Sequence, residues 1–138
     1  MTNGGGWFLV NGQDKMGLPG GPRSGMTLML PNGELAIVEL RKLEDDCLSD
    51  THPRGRHKAR VFRAALGIGQ QDAAWPRGIL LAAARTGEAE PVSTDAWGEQ
   101  WRLDLAITRQ GRRAVVRTIW MIRTGEIAPR FVSGWVLE

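Results

Sequence analysis

The spacing of apolar positions changes character twice along the chain. Between residues 26 and 39, MTLMLPNGELAIVE sets two short apolar runs on either side of Pro31-Asn32-Gly33. Asn-Gly tolerates the positive backbone angles of a tight turn, so this stretch predicts a small hairpin. From Glu39 the period lengthens, and ELRKLEDDCL places Leu40, Leu43, Cys47 and Leu48 on one side of a first amphipathic helix. A second helix begins near Arg56. Its buried stripe is Val61, Phe62, Ala65 and Leu66, and stepping back by a turn puts Lys58 at the head of that stripe. A third helical stretch runs from about Gln70 to Thr86, with Pro76 tolerated near its opening, Ile79, Leu80, Ala83 and Ala84 facing inward, and Gly87 ending it. After residue 88 the period drops to two. Turns near Trp97-Gly98, Gln110-Gly111 and Thr124-Gly125 cut this last part into four strands.

The register of the middle hairpin follows from its own pattern. With Gln110-Gly111 as a two-residue turn, Arg109 faces Arg112, and Trp101, Leu103, Leu105 and Ile107 fall opposite Trp120, Thr118, Val116 and Ala114. That is a coherent core face. The other face sets Asp104 against Arg117, whereas a shift by one residue would oppose Leu103 to Arg117. Carrying the sheet over the next turn with Arg123 facing Arg130 places Ser133 and Trp135 on the core face beside Thr118 and Trp120. The fold class is α+β: an N-terminal hairpin and two to three helices, followed by a four-stranded antiparallel sheet.

Composition adds boundaries to this picture. Residues 1–25 are crowded with glycine and proline, apart from the apolar patch Trp7-Phe8-Leu9-Val10, and read as a flexible leader to a single domain over residues 26–138. The chain is 138 residues long with a formal charge of +3, which fits one core and permits a polyanionic partner without requiring one. The lone Cys47 has no internal disulfide partner, and no apolar run approaches the ~20 residues of a membrane span. No secretory signal opens the chain. The expectation is a cytoplasmic protein with no membrane association.

Candidate chemistry concentrates in HPRGRHKARVFR, residues 52 to 63, where two histidines stand among five cationic side chains. Arg56, Arg60 and Arg63 share one helix face, most simply a solvated one, with Arg54 just ahead of them. Lys58 admits two readings: a lysine snorkelling from the helix end, or a cation that holds a phosphate together with the free N–H groups of the first turn. The chain contains no phosphate-binding glycine loop, no HExxH, no deaminase signature and no convergent acidic set for a two-metal nuclease. No metal site and no cofactor are expected. Histidine, lysine, arginine and hydroxyl side chains remain, an inventory suited to metal-independent cleavage of RNA.

The runs ELRKLEDDCLSDTHPRGRHKARVFRAALG and RTIWMIRTGEIAPRFVSGWVL resemble a bacterial family of small domains of unknown function encoded among toxin and antitoxin genes. The likeness covers about residues 34–137 and rests on Leu48, His52-Pro53, Gly55, Lys58-Ala59, Arg117 with Trp120, and Pro129 with Val132. The order of helices and strands is similar to ribonuclease toxins of the barnase, EndoU, colicin and RelE type, whose cleft opens between helix and sheet. Such domains often carry threonine and tyrosine near the last strand, where this chain has Ser133 and Trp135. The resemblance implies a ribonuclease-like toxin domain acting on RNA, with His57 or His52 as acid or base. Lys58 and Arg117 would be phosphate stabilisers, and Thr118 or Ser133 an orienting hydroxyl. Arg54, Arg56 and Arg60 would hold substrate, and Trp120 would stack a base. The implied partner is a small acidic antitoxin or immunity protein. The alternative is a non-catalytic binding module, a toxin–antitoxin partner or a phage or secretion component, using the same basic surface.

Ordering a glycine-rich leader costs about 1 kcal/mol or more per residue, with little apolar burial to offset it. Deleting residues 1–24 is therefore expected to leave the thermal midpoint nearly unchanged in calorimetry. A large drop would mean that Trp7 to Val10 dock on the core.

Overall fold

The computed structural model describes residues 28–138; the leader and residues 26 and 27 of the expected hairpin lie outside them. The first helix, α1, opens as an α turn, Leu40–Lys42, and continues as a π-helical segment, Leu43–Cys47, in which the Leu48 N–H donates to the Leu43 carbonyl at 2.9 Å. That wider turn puts Leu43, Cys47 and Leu48 all into the core, while Leu40, expected on the same stripe, stays 39% exposed. The second helix, α2, is Arg56–Leu66 and buries Ala59, Phe62 and Leu66. It ends where Gly67 takes a left-handed φ of 68° and its N–H donates to the Arg63 carbonyl. The third, α3, is Ala74–Thr86 and buries Leu80, Ala83 and Ala84. Pro76 lies in its first turn, where a backbone N–H has no intrahelical acceptor.

Of the expected N-terminal hairpin, the described part turns at Asn32, whose φ is 54°, with the Gly33 N–H donating to the Leu30 carbonyl. A Cβ on Gly33 would come within 1.8 Å of the Ala84 carbonyl oxygen, so the turn is pressed onto α3. Its two limbs find separate partners. Met29 bridges antiparallel to Glu88, and Ile37 bridges parallel to Arg130.

Four antiparallel strands follow in sequential order: β1, Glu90–Asp95; β2, Gly98–Arg109; β3, Arg112–Arg123; and β4, Arg130–Val136. Between β2 and β3 the register is the one the pattern predicts, with Arg109 facing Arg112, Leu103 facing Thr118 and Asp104 facing Arg117. Both turn residues, Gln110 and Gly111, take positive φ, as a two-residue hairpin turn of this twist requires. The helices cover the face that carries Leu103, Leu105, Ile107, Val116 and Trp120. Arg109 ties them to it at one end. Its guanidinium donates to the Leu66 and Gly67 carbonyls at the end of α2, stands 3.7 Å from Asp72 and lies over the Trp75 ring of α3.

The β3–β4 register differs from the expected one. Arg130 pairs with Met121 rather than with Arg123, and Phe131 pairs with Trp120. Met121 and Arg130 are the first pair of the β3–β4 ladder, so residues 122–129 connect the strands in place of the expected tight turn. A bulge at Val132 then shifts the pairing, and Ser133 faces Ile119 while Trp135 faces Arg117. Its cause lies in the core. Phe131 and Gly134 both turn inward although an odd number of steps separates them, and the Phe131 ring, edge-on to Trp120, fills the space over Gly134. Ser133 and Trp135 are thereby moved off the core face where the regular register put them.

Thr118 and Trp120 are completely buried. The threonine hydroxyl donates to the Leu103 carbonyl at 2.6 Å and accepts the Trp120 Nε1–H at 2.9 Å. Thr118→Val keeps the shape but leaves that indole N–H without an acceptor, and a loss of about 1–3 kcal/mol is expected in urea denaturation.

Candidate functional site at the edge of β4

The site begins with the way α2 is seated. Gly55, just ahead of the helix, has an ordinary φ of −97°, so its role is not the conformational freedom expected of a turn glycine. A Cβ there would meet the Asp46 carbonyl oxygen at 2.6 Å. Only glycine lets the start of α2 press against the end of α1. The His52 carbonyl accepts the N–H groups of both Gly55 and Arg56, which fixes the turn into the helix.

That seating carries Lys58 to the outer edge of the sheet. Its Nζ donates to the Ser133 Oγ at 2.8 Å and stands 5.5 Å from the centre of the Trp135 ring. A groove of about 420 Å³ opens here, lined by His57, Lys58, Val61, Trp135, Val136 and Glu138. His57 Nε2 lies 3.8 Å from Glu138 Oε1, and both side chains are mostly exposed. One groove therefore offers a cation held by a hydroxyl, an indole, an imidazole and a carboxylate. This is a set that can bind an anion, pack against a flat apolar ring and move a proton.

Of the residues singled out in the sequence, His57, Lys58 and Ser133 come together here. The others stand elsewhere. His52 lies in the turn before α2, where its Nδ1 accepts the Arg54 N–H at 3.3 Å. Arg54, Arg56 and Arg60 are exposed and do not line the groove. Arg117 makes a two-pronged ion pair with Asp104, at 2.9 and 2.8 Å, the cross-strand pairing its register gives it. Thr118 has its hydroxyl engaged inside the core, and Trp120, fully buried against Phe131, presents no face to a base. The aromatic of the groove is Trp135 instead. Nothing in a strict two-residue period marks it, because the bulge at Val132 is what turns it out. Among the described residues no group of three or more metal-ligating side chains stands together, and no helix is long and apolar enough to cross a membrane.

Behind the groove lies Cys47, with no exposed surface. Burial pushes its thiol from 9.0 up to about 11, against the opposing pull of the Gly134 N–H and the Lys58 charge. At neutral pH it is a protonated packing residue rather than a nucleophile.

A family model described as a domain of unknown function (DUF6883) matches residues 29–138. No curated protein and no solved structure matches the chain.

The raised thiol gives stability a pH dependence of known sign. Below pH 9.0 the thiol is protonated in both states, and between there and about 11 the unfolded chain releases a proton that the folded one keeps, so stability falls. The expected loss is on the order of 2 kcal/mol across that window. The chain has no tyrosine, so the thiol can be separated from other alkaline titrations by comparison with Cys47→Ala, whose urea midpoint should fall less over the same range.

Proposed function

We propose a role in RNA cleavage for this chain, which belongs to the family described as a domain of unknown function (DUF6883). The observation that supports it is the hydrogen bond from Lys58 to Ser133 at the mouth of the groove, beside His57. In this reading the groove takes a phosphodiester with the Lys58 ammonium against a non-bridging oxygen, and Ser133 fixes the direction of the lysine. Glu138 accepts the proton of the ribose 2′-OH, and the 2′-oxygen attacks phosphorus. Protonated His57 gives its proton to the departing 5′-oxygen, leaving a 2′,3′-cyclic phosphate and a free 5′-hydroxyl. No metal takes part. As a toxin such a domain would be held in check by a small acidic antitoxin or immunity protein, whose carboxylates complement Lys58 and the exposed arginines of α2.

A second reading, a non-catalytic binding module, is favoured by one set of contacts. Thr118 and Trp120 are sealed in the core and Arg117 is bound to Asp104, so three residues expected to serve the chemistry are engaged elsewhere. Lys58→Met separates the readings. Methionine keeps the length and the apolar stem, so thermal unfolding should be little changed. On the cleavage reading, degradation of a mixed RNA pool in EDTA falls by about 10²-fold or more, the usual scale for losing one electrostatic stabiliser. Wild-type protein that binds the pool but leaves it intact in EDTA would establish the binding module instead.

A further inference from the structure

The groove joins a charge to an aromatic surface, and this combination has a consequence for the substrate that the phosphate chemistry alone does not carry. Lys58 Nζ is 2.8 Å from Ser133 and lies over the Trp135 ring, 5.5 Å from its centre, so the ammonium stands toward the margin of that face and an anion on the lysine lies beside the indole. A phosphate and the base attached to it through one ribose span such a distance. Val61 and Val136 flank the indole with apolar surface, and Trp135 is only partly buried. A polar anion with no ring system would leave that apolar wall wet. Resting on the proposed cleavage site, we propose that Trp135 is a stacking platform for one unpaired nucleobase, so that the groove takes single-stranded RNA and rejects a base-paired helix.

Every nucleobase has a flat π-face, so stacking on an indole holds the nucleotide without reading its identity. A base inside a duplex is already stacked on both sides and cannot reach a groove in the protein surface unless it is extruded. Trp135 is placed for such a contact by its strand. It faces Arg117 across the β3–β4 ladder, on the side of the strand opposite to the inward-turned Gly134 and Phe131. Trp120 is locked edge-on to Phe131 in the core and its cross-strand neighbour Trp101 is buried with it, whereas Trp135 lines the groove.

The test uses two non-cleavable probes, a 2′-O-methyl uridine tetranucleotide and the abasic 2′-O-methyl ribose-phosphate chain of the same length, titrated by anisotropy at fixed salt. Wild-type protein is expected to prefer the base-bearing probe by about tenfold or more. Trp135→Leu should lose that preference and keep the abasic affinity, and Trp135→Phe should restore most of it. A 2′-O-methyl duplex of the same strand should bind no better than the abasic chain. Equal binding of both tetramers by the wild type, with Lys58→Met weakening both, would overturn the stacking platform and leave the phosphate site standing. Equal loss of both probes in Trp135→Leu would also overturn it, since the tryptophan would then only shape the strand. Binding of either probe that is indifferent to Lys58→Met would sink the cleavage site itself, and the platform with it.

Discussion

An odd step in the last strand decides which of its side chains reach the groove. Phe131 and Gly134 must both face the helices, because the Phe131 ring needs the floor that a residue without a side chain provides, and a regular strand cannot point both inward. The bulge at Val132 absorbs the conflict. Its effect is to rotate Ser133 and Trp135 away from the core and within reach of Lys58. A packing requirement among apolar groups thus creates a polar constellation on the other side of the same strand.

The partner of that strand is placed with equal definiteness. At its start α2 leans on α1 through a backbone contact that admits no Cβ at Gly55, and at its end two carbonyls are held by Arg109, which is itself sandwiched between Asp72 and Trp75. Between these two fixed ends Ala59, Phe62 and Leu66 set the helix rotation against the sheet. Lys58 therefore does not search for Ser133 from a mobile arm. Its backbone is positioned by contacts made at both ends of α2, and only the side chain has freedom to lose.

Much of this was legible in the sequence where short-range rules suffice. The β2–β3 register could be read from a two-residue turn and one consistent apolar face, and the inward faces of α2 and α3 from helical spacing. Lys58 stood out as a charge at the head of a buried stripe. What was not legible depends on contacts distant along the chain. The bulge at Val132 answers to Trp120 and the helices, the π-helical turn at Leu43–Cys47 lets three residues share one buried side, and the described residues flanking Asn32 bridge to Glu88 and Arg130. Trp120 and Trp135 look alike in a strand pattern. Only the shifted register decides that the first is core and the second lies at the groove.

The position of β4 at the edge of the sheet has a thermodynamic meaning for the groove. Lys58 and Ser133 are 75 residues apart in the chain, and the strand bearing Ser133 is laddered on one side by β3 alone over its last residues. Edge elements open by sub-global fluctuations that leave the interior of a protein intact, at a free energy below that of global unfolding. The population of the assembled groove then depends on this strand's fraying equilibrium as well as on the long β2–β3 hairpin. A ligand that bridges α2 and β4 would be a clamp on that equilibrium, raising amide protection along the edge well before it altered the melting of the whole.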